Sequence, residues 1–418
     1  MAGNKMRIGI IGGGAAGMAA AIAAARNNRH AEIFILEQNE KTGKKILATG
    51  NGRCNLTNRR ADASCADSCY YGEDISFVRK VLDQFGYQDT LDFFESMGLV
   101  TRSRGEYVYP RSGQAAAVRE LLELELKRLG VMVHCGVKIR SIVRDKKGFC
   151  MKDDRLVFRA DRVVLACGGK AAPAFGSDGS GYQLAKSLGH HLTPVAPALV
   201  QLKVKNHPFA KASGVRTEAK VTALIDGIPA GTDTGELQIT AYGISGIPVF
   251  QISRHIALGL YQKKRTEVLL DLLPEYSDKE VSALLKRISE RRTDLTVKEC
   301  LSGVFHQKLL PRILELAELQ THTGISKLTD RQFQTLAGKC KKIILTIQDT
   351  NGFENAQVCA GGVRTAEISS RTMESKYVKG LYIAGELLDA DGICGGYNLQ
   401  WAWATGYMAG KAASAEVV

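Results

Sequence analysis

The sequence predicts an α/β protein in which two glycine-marked halves, one at each end of the chain, enclose a β-rich and helical insert. Three observations predict it. An apolar strand runs into a glycine turn and an alanine-rich helix at the start, "MRIGIIGGGAAGMAAAIAAARNN". A second strand, glycine turn and helix closes the chain, "GLYIAGELLDADGICGGYNLQWAWATGYMAG". Between them the composition shifts to short alternating strands and then to helical periodicity.

The first strand is read at Arg7–Ile11. Gly12, Gly14 and Gly17 follow in G-x-G-x-x-G spacing. The first glycine makes the tight turn, the second lets the backbone approach a pyrophosphate, and the third lets helix and strand pack closely. The helix start then offers free N–H groups and a positive dipole end to phosphate. "AEIFILE" reads as the next strand and ends at Glu37, where an acid can bind a ribose hydroxyl. These features predict a Rossmann-type dinucleotide site.

The closing segment decides which dinucleotide. An FAD site needs a distant segment to meet the ribityl chain and the isoalloxazine, because the flavin half reaches past the first fold unit. A strand at Leu381–Ala384 leading into Gly385 and Glu386 suits that role, with Glu386 near the pyrophosphate or ribityl hydroxyls. Gly395, Gly396, Tyr397 and Asn398 then open an amphipathic helix. Its positive end would stabilise negative charge developing on a reduced flavin. FAD is therefore the expected cofactor.

"GKKILATGNGRCNLTN" (43–58) follows no clean period and reads as a loop over this site. Gly50 and Gly52 permit close approach. Lys44, Lys45 and Arg53 supply cations, and Thr49, Asn51 and Asn55 supply neutral hydrogen bonds. Cys54 has no second cysteine beside it in the loop, so a packing or flavin-contact role is expected rather than a redox one.

With these motifs the chain resembles the BaiN-like, aminoacetone-oxidase-like flavoproteins. The stretches that carry the resemblance are "GGGAAGMAAA", "GKKILATGNGRCNLTN", "YVYPRSGQAAAV", "GSDGSGYQLAKSLGH", "GELQITAYGISGIPVF", "CAGGV" and "GELLDADGICGGYNLQWAWATG". One departure is local: many members have a histidine two residues before the glycine turn where this chain has Ala241. The resemblance implies a glutathione-reductase-type FAD-binding Rossmann domain with an inserted β-rich plus helical domain. We place the FAD-binding domain at 1–192 and 355–418 and the insert at 193–354, with a helical segment over about 254–336. On that assignment Ala15, Ala16, Gln38, Val137, Cys167, Gly168, Gly169, Asp391 and Leu399 are also expected to bind the cofactor.

Substrate-side chemistry is expected from Tyr242 as proton donor, Arg111 as partner of an anion, and Tyr397 beside the flavin. His190 and His191 end a helix, where a cation suits the dipole, and are read as structural. No second dinucleotide fingerprint lies in the middle of the chain, so NAD(P)H is expected to visit the substrate face transiently, with ping-pong kinetics. The resemblance implies hydride transfer to an enone, with 3-oxo-4-ene bile acids or steroids as the leading substrates, small and hydrophobic or carboxylate-bearing. Two alternatives are an amine or aminoketone oxidase using oxygen and an FAD-containing RNA-binding or RNA-modifying protein.

Composition narrows the classes further. The chain has 418 residues, 45% hydrophobic and 24% charged, an ordinary globular balance, and no strongly apolar run long enough to span a membrane. Ten scattered cysteines give no zinc spacing, and with no secretory signal in view they fit a reducing cytoplasm. A net charge of +13 suits an anionic cofactor or substrate. The runs "QKKR", "KRISERR" and "KCKK" lack interleaved aromatics, which disfavours a nucleic-acid track. Nothing in the sequence sets an oligomeric state.

Overall fold

The structure, a computed structural model, describes residues 5–416. The chain divides into two compact units, Met1–Val195 with Gln357–Val418, and Ala196–Ala356.

In the first unit, β1 (Arg7–Ile11) is followed by α1 (Ala15–Asn27) and β2 (Glu32–Glu37). A short helix α2 (Lys44–Ala48) comes next. β3 (Met132–Cys135), β4 (Arg162–Leu165) and β5 (Leu381–Ile383) complete a parallel sheet in the order β5-β4-β1-β2-β3. Its central strands are apolar and flanked by strands on both sides, as a parallel sheet requires. Ile8, Ile10, Ile35, Val163 and Ile383 are all buried. The last helix, α3 (Tyr397–Ala413), lies along α1. The small residues of both helices have a packing cause: a side chain on Gly406 would start 2.3 Å from the Ala16 carbonyl oxygen, and one on Gly410 would start 1.9 Å from that of Ala20. Only glycine lets the two backbones come so near.

Two expectations change here. The stretch 43–58 is not simply a loop: it forms α2, a short 3-10 turn over Thr49–Gly52, and a strand at Thr57–Asn58. Elements this short show no period, and Gly50, Asn51, Gly52 and Cys54 all take positive φ. Nor is α3 amphipathic. It is buried around most of its circumference, with Trp401 and Trp403 fully enclosed.

The second unit is a closed antiparallel barrel of Leu202–Val204, Gly243–Ser245, Ile228–Ile239, Arg216–Ile225, Thr266–Asp271 and Ile343–Thr350, in that order around the ring. Asp226 and Gly227 join the two long strands, with φ of 53° and 81°, the left-handed pair a tight hairpin needs. The helix Ile247–Tyr261 packs on the barrel. Asp278–Arg291 and Asp330–Lys341 each start with a capping box, Ser277 with Glu280 and Thr329 with Gln332. The segment expected to be helical over about 254–336 contains the strand Thr266–Asp271, so that reading is corrected. Its apolar residues, Val268, Leu269 and Leu270, are too few to choose between the two periods, and only pairing with Arg216–Ile225 and Ile343–Thr350 decides it.

His190 also departs from the helix-dipole reading. It is buried, with Nδ1 2.9 Å from Glu367 and Nε2 2.9 Å from Ser375, while His191 Nδ1 meets the other Glu367 oxygen at 2.8 Å. A carboxylate, not a helix end, holds this pair. Burial lowers the pKa of His190, and burial with the neighbouring Arg254 charge lowers that of His255 in the second unit to about 4. Lowered histidines are neutral when folded and protonate first in the unfolded chain, so their contribution is complete above about 6.5 and is lost as pH falls toward 4. Thermal midpoints should therefore drop between pH 7 and 4.5, and His255→Gln should flatten that drop; an unchanged slope would contradict this assignment.

Candidate active site

The first unit carries an open cleft of about 1220 Å³ along the carboxyl ends of its strands. One wall is the glycine turn and the start of α1, with Gly12, Gly14, Ala15 and Ala16 at the surface. Met18 N–H donates to the Gly14 carbonyl, so the N–H groups before it have no partner in the helix, and no acid lies in the first turn. A side chain on Gly14 would meet nothing within 4 Å. This is the concave, donor-lined surface that a pyrophosphate fits.

Gly12 and Gly17 have a different role. A side chain on Gly17 would start 1.8 Å from the Gly12 carbonyl, and Gly12 itself has φ of 107° with Ala166 O 2.4 Å from the same position. Gly17 is therefore a packing residue and does not line the cleft.

At the end of β2, the buried Glu37 accepts hydrogen bonds from Gly13 N–H at 2.7 Å and from Asn39 N–H at 2.8 Å. It holds the glycine turn in shape from the nucleotide end of the cleft. Gln38 and Val137 line the same end. Gln38 donates to the Gly176 carbonyl, and Asn39 Nδ2 to that of Phe175 at 3.3 Å. Asn39, Lys138 and the Phe175–Ser177 turn were missed by the sequence reading. The glycine run after "VVLACGG" at the end of β4 is the signal that marked that turn.

Lys44, Lys45 and Thr49 line the cleft. Lys45 is not a free countercharge, however. Its ammonium is 2.8 Å from Glu386 and 3.2 Å from the Ala171 carbonyl, and the other Glu386 oxygen accepts Cys359 N–H at 2.9 Å. Both partners are half-buried, so removing one strands the other. Lys45→Met should weaken FAD retention about tenfold, read as flavin released on dilution and filtration; full retention would place the pair outside the site.

Gly50, Asn51, Gly52, Arg53, Cys54 and Asn55 do not line the cleft. Asn51, Gly52 and Arg53 are exposed, and Arg53 sits over the Tyr109 ring at 5.8 Å. Cys54 is fully buried, and desolvation pushes its thiol up to about 12. It is a packing residue. Of the later positions, Cys167, Gly168, Gly385, Glu386, Asn398 and Leu399 line the cleft. The Cys167 thiol is likewise pushed up to about 12 by burial and the neighbouring Glu37 charge. Asn398 clamps Gly392, accepting from its N–H at 2.8 Å and donating to its carbonyl at 2.7 Å.

Gly169, Asp391 and Tyr397 are buried, and neither they nor the half-exposed Gly396 line the cleft. Gly396 has φ of 97° and abuts Thr57, whose carbonyl would be 2.7 Å from an added side chain. Asp391 is buried on a short strand paired with Tyr71. Tyr397 corrects the expectation of a flavin-side residue: its ring is buried edge-on against Tyr70 at 5.8 Å, and burial, first, with Cys69 raises its phenol well above the ordinary range. A helix-start residue points sideways, and here its side chain faces the core. Arg111 is exposed at the end of a hairpin in the first unit. Tyr242 belongs to the second unit, exposed, with its hydroxyl accepting from Asn351 Nδ2 at 3.3 Å.

The parallel sheet, the glycine turn on α1 and the C-terminal return define an FAD-dependent oxidoreductase. The chain belongs to the HI0933-like family: the HI0933-like protein Rossmann domain matches residues 6–412. It is 60% identical over 408 residues to the 3-dehydro-bile acid delta(4,6)-reductase of Clostridium scindens, covering 98% of this chain and 99% of that one. It is 28% identical over 400 residues to the ribosomal RNA dihydrouridine synthase of Escherichia coli, covering 95% of each. Among solved structures it is similar to a 3-ketosteroid delta1-dehydrogenase from Sterolibacterium denitrificans, with a TM-score of 0.51 at 11% identity over 97% of this chain and 99% of that one. At that identity the likeness concerns fold alone. No helix among the described residues is long and apolar enough to cross a membrane.

Proposed function

We propose that this protein reduces a carbon–carbon double bond conjugated to a carbonyl, with NAD(P)H as electron donor and 3-oxo-4-ene bile acids as the substrate class. The observation that carries the reading is the 60% identity, over nearly both whole chains, to a protein named for bile acid reduction. Dihydrouridine is uridine with a carbonyl-conjugated bond saturated, so the more distant relative is named for the same kind of change.

Bound FAD, once reduced by NAD(P)H, would supply the hydride. The chain's own residues do the rest. The α1 N-terminus holds the pyrophosphate, and Glu37 offers its carboxylate to a ribose. The N-terminus of α3, through Asn398 and Leu399, presents a positive end where charge develops on reduction. The paired Lys45 and Glu386 fix the middle of the cleft without leaving a bare charge in it. Arg111 is our candidate partner for a substrate anion. With no second dinucleotide fingerprint in the middle of the sequence, NAD(P)H and substrate use the open cleft in turn.

Turnover without oxygen tests this. With NADH or NADPH and a 3-oxo-4-ene bile acid, the product should carry two added hydrogens, and initial rates should give parallel double-reciprocal lines. Peroxide release from aminoacetone in air, with no enone reduced, would replace this reading with an oxidase.

A further inference from the structure

We propose that an arginine and tyrosine face on a small sheet of the first unit binds the carboxylate end of the substrate. This rests on the enone-reductase reading and names a second recognition element for the same molecule.

The sheet consists of Thr57–Asn58, Thr101–Arg104 and Tyr107–Pro110. Arg102 is directly opposite Tyr109, and Arg104 directly opposite Tyr107. Opposed residues of antiparallel strands share a face, so these four side chains stand together. The alternate positions, Val108 and Thr57, are buried beneath. Arg53 extends the face by covering the Tyr109 ring at 5.8 Å. The only acid between Leu99 and Gly113 is Glu106, in the turn. Among the described residues, Arg102 Nε is buried without a hydrogen-bond partner. That N–H is closed to solvent, so an outside acceptor would meet the half-exposed remainder of Arg102 and the exposed Arg104.

None of these side chains lines the cleft, and the face is linked to it through Gly395. The Tyr107 ring would be 3.0 Å from a side chain on Gly395, and Asn58 Nδ2 donates to the Gly395 carbonyl at 2.9 Å. Gly395 leads into α3, whose Asn398 and Leu399 line the cleft. One elongated molecule can therefore span both places. Planar guanidinium groups suit a carboxylate in two-point contact. Strands of four residues extend only about 13 Å, which accommodates one anionic group rather than a track of nucleotides.

The test uses the FAD-loaded enzyme with a 3-oxo-4-ene steroid acid and its methyl ester. Arg102→Ala and Arg104→Ala should each cut the acid-over-ester preference in kcat/KM about tenfold, chiefly through KM, and Arg104→Lys should recover part of it. Added salt should erode the wild-type preference. An unchanged preference, or an equal loss for acid and ester, would overturn the proposal and leave the reductase reading standing. If neither compound turns over, that reading fails by itself, and equilibrium binding seen through the flavin spectrum decides the present one. Weaker binding of the acid alone by the variants supports it; equal binding overturns it. Loss of single-stranded RNA retention by the variants, with acid preference intact, also overturns it and assigns the face to nucleic acid.

Discussion

Gly14→Val should give a folded protein that has lost FAD affinity by about 100-fold or more. The position has φ of −82°, which any residue adopts, and nothing lies within 4 Å of where its side chain would start. The fold is therefore indifferent to the change. The open space belongs to the cleft, and a branched side chain at the start of α1 fills the approach to its free N–H groups. Gly17→Ala makes the contrast, because its single carbon would start 1.8 Å from the Gly12 backbone carbonyl. That variant should fail to accumulate as folded protein. Flavin content and thermal unfolding separate the two: a colourless but stable Gly14→Val agrees, whereas a yellow one would mean that the pyrophosphate does not rest on this turn.

Gln400→Leu should destabilise the first unit by roughly 3–6 kcal/mol, since each buried group left without a partner costs about 1–3 kcal/mol. Gln400 is fully buried and uses its whole amide. Its oxygen accepts from Thr57 at 2.6 Å and from Thr90 at 2.8 Å, and its nitrogen donates to the carbonyls of Phe85 at 3.2 Å and Gly86 at 3.0 Å. Leucine matches the volume and satisfies none of the four. Because Gln400 fixes the start of α3 against the strand at Thr57–Asn58, flavin retention should weaken with stability. Denaturant unfolding within 1 kcal/mol of wild type would show that the partners find water or other groups.

What was legible in the sequence was local. Arg7–Ile11, the three spaced glycines and the acid at Glu37 fall within one strand–turn–helix–strand unit, where spacing alone fixes geometry. The closing strand and helix were legible for the same reason. What escaped the sequence reading depends on contacts between distant positions. Lys45 looked like a phosphate ligand until the fold brought Glu386 to it, and Gln400 gave no sign of joining Thr57, Thr90 and Phe85. Tyr397 was misjudged because a motif position gives no side-chain direction. The strand Thr266–Asp271 was hidden because its short apolar stretch, Val268–Leu270, satisfies a helix as well as a strand until a partner pairs with it. The arginine and tyrosine face draws on residues from 53 to 109, and only the pairing of their strands brings Arg102 and Arg104 to Tyr107 and Tyr109.

The central claim is that this cleft transfers a hydride from FAD to an enone. It is tested most directly in a single half-reaction. Purified, FAD-loaded protein is reduced without oxygen, separated from the reductant, and mixed with a 3-oxo-4-ene bile acid while the yellow flavin band is followed. The account predicts that the band returns to its full height at a rate that rises with enone concentration, with one saturated bond formed per flavin. A band that stays bleached until oxygen is admitted would contradict it.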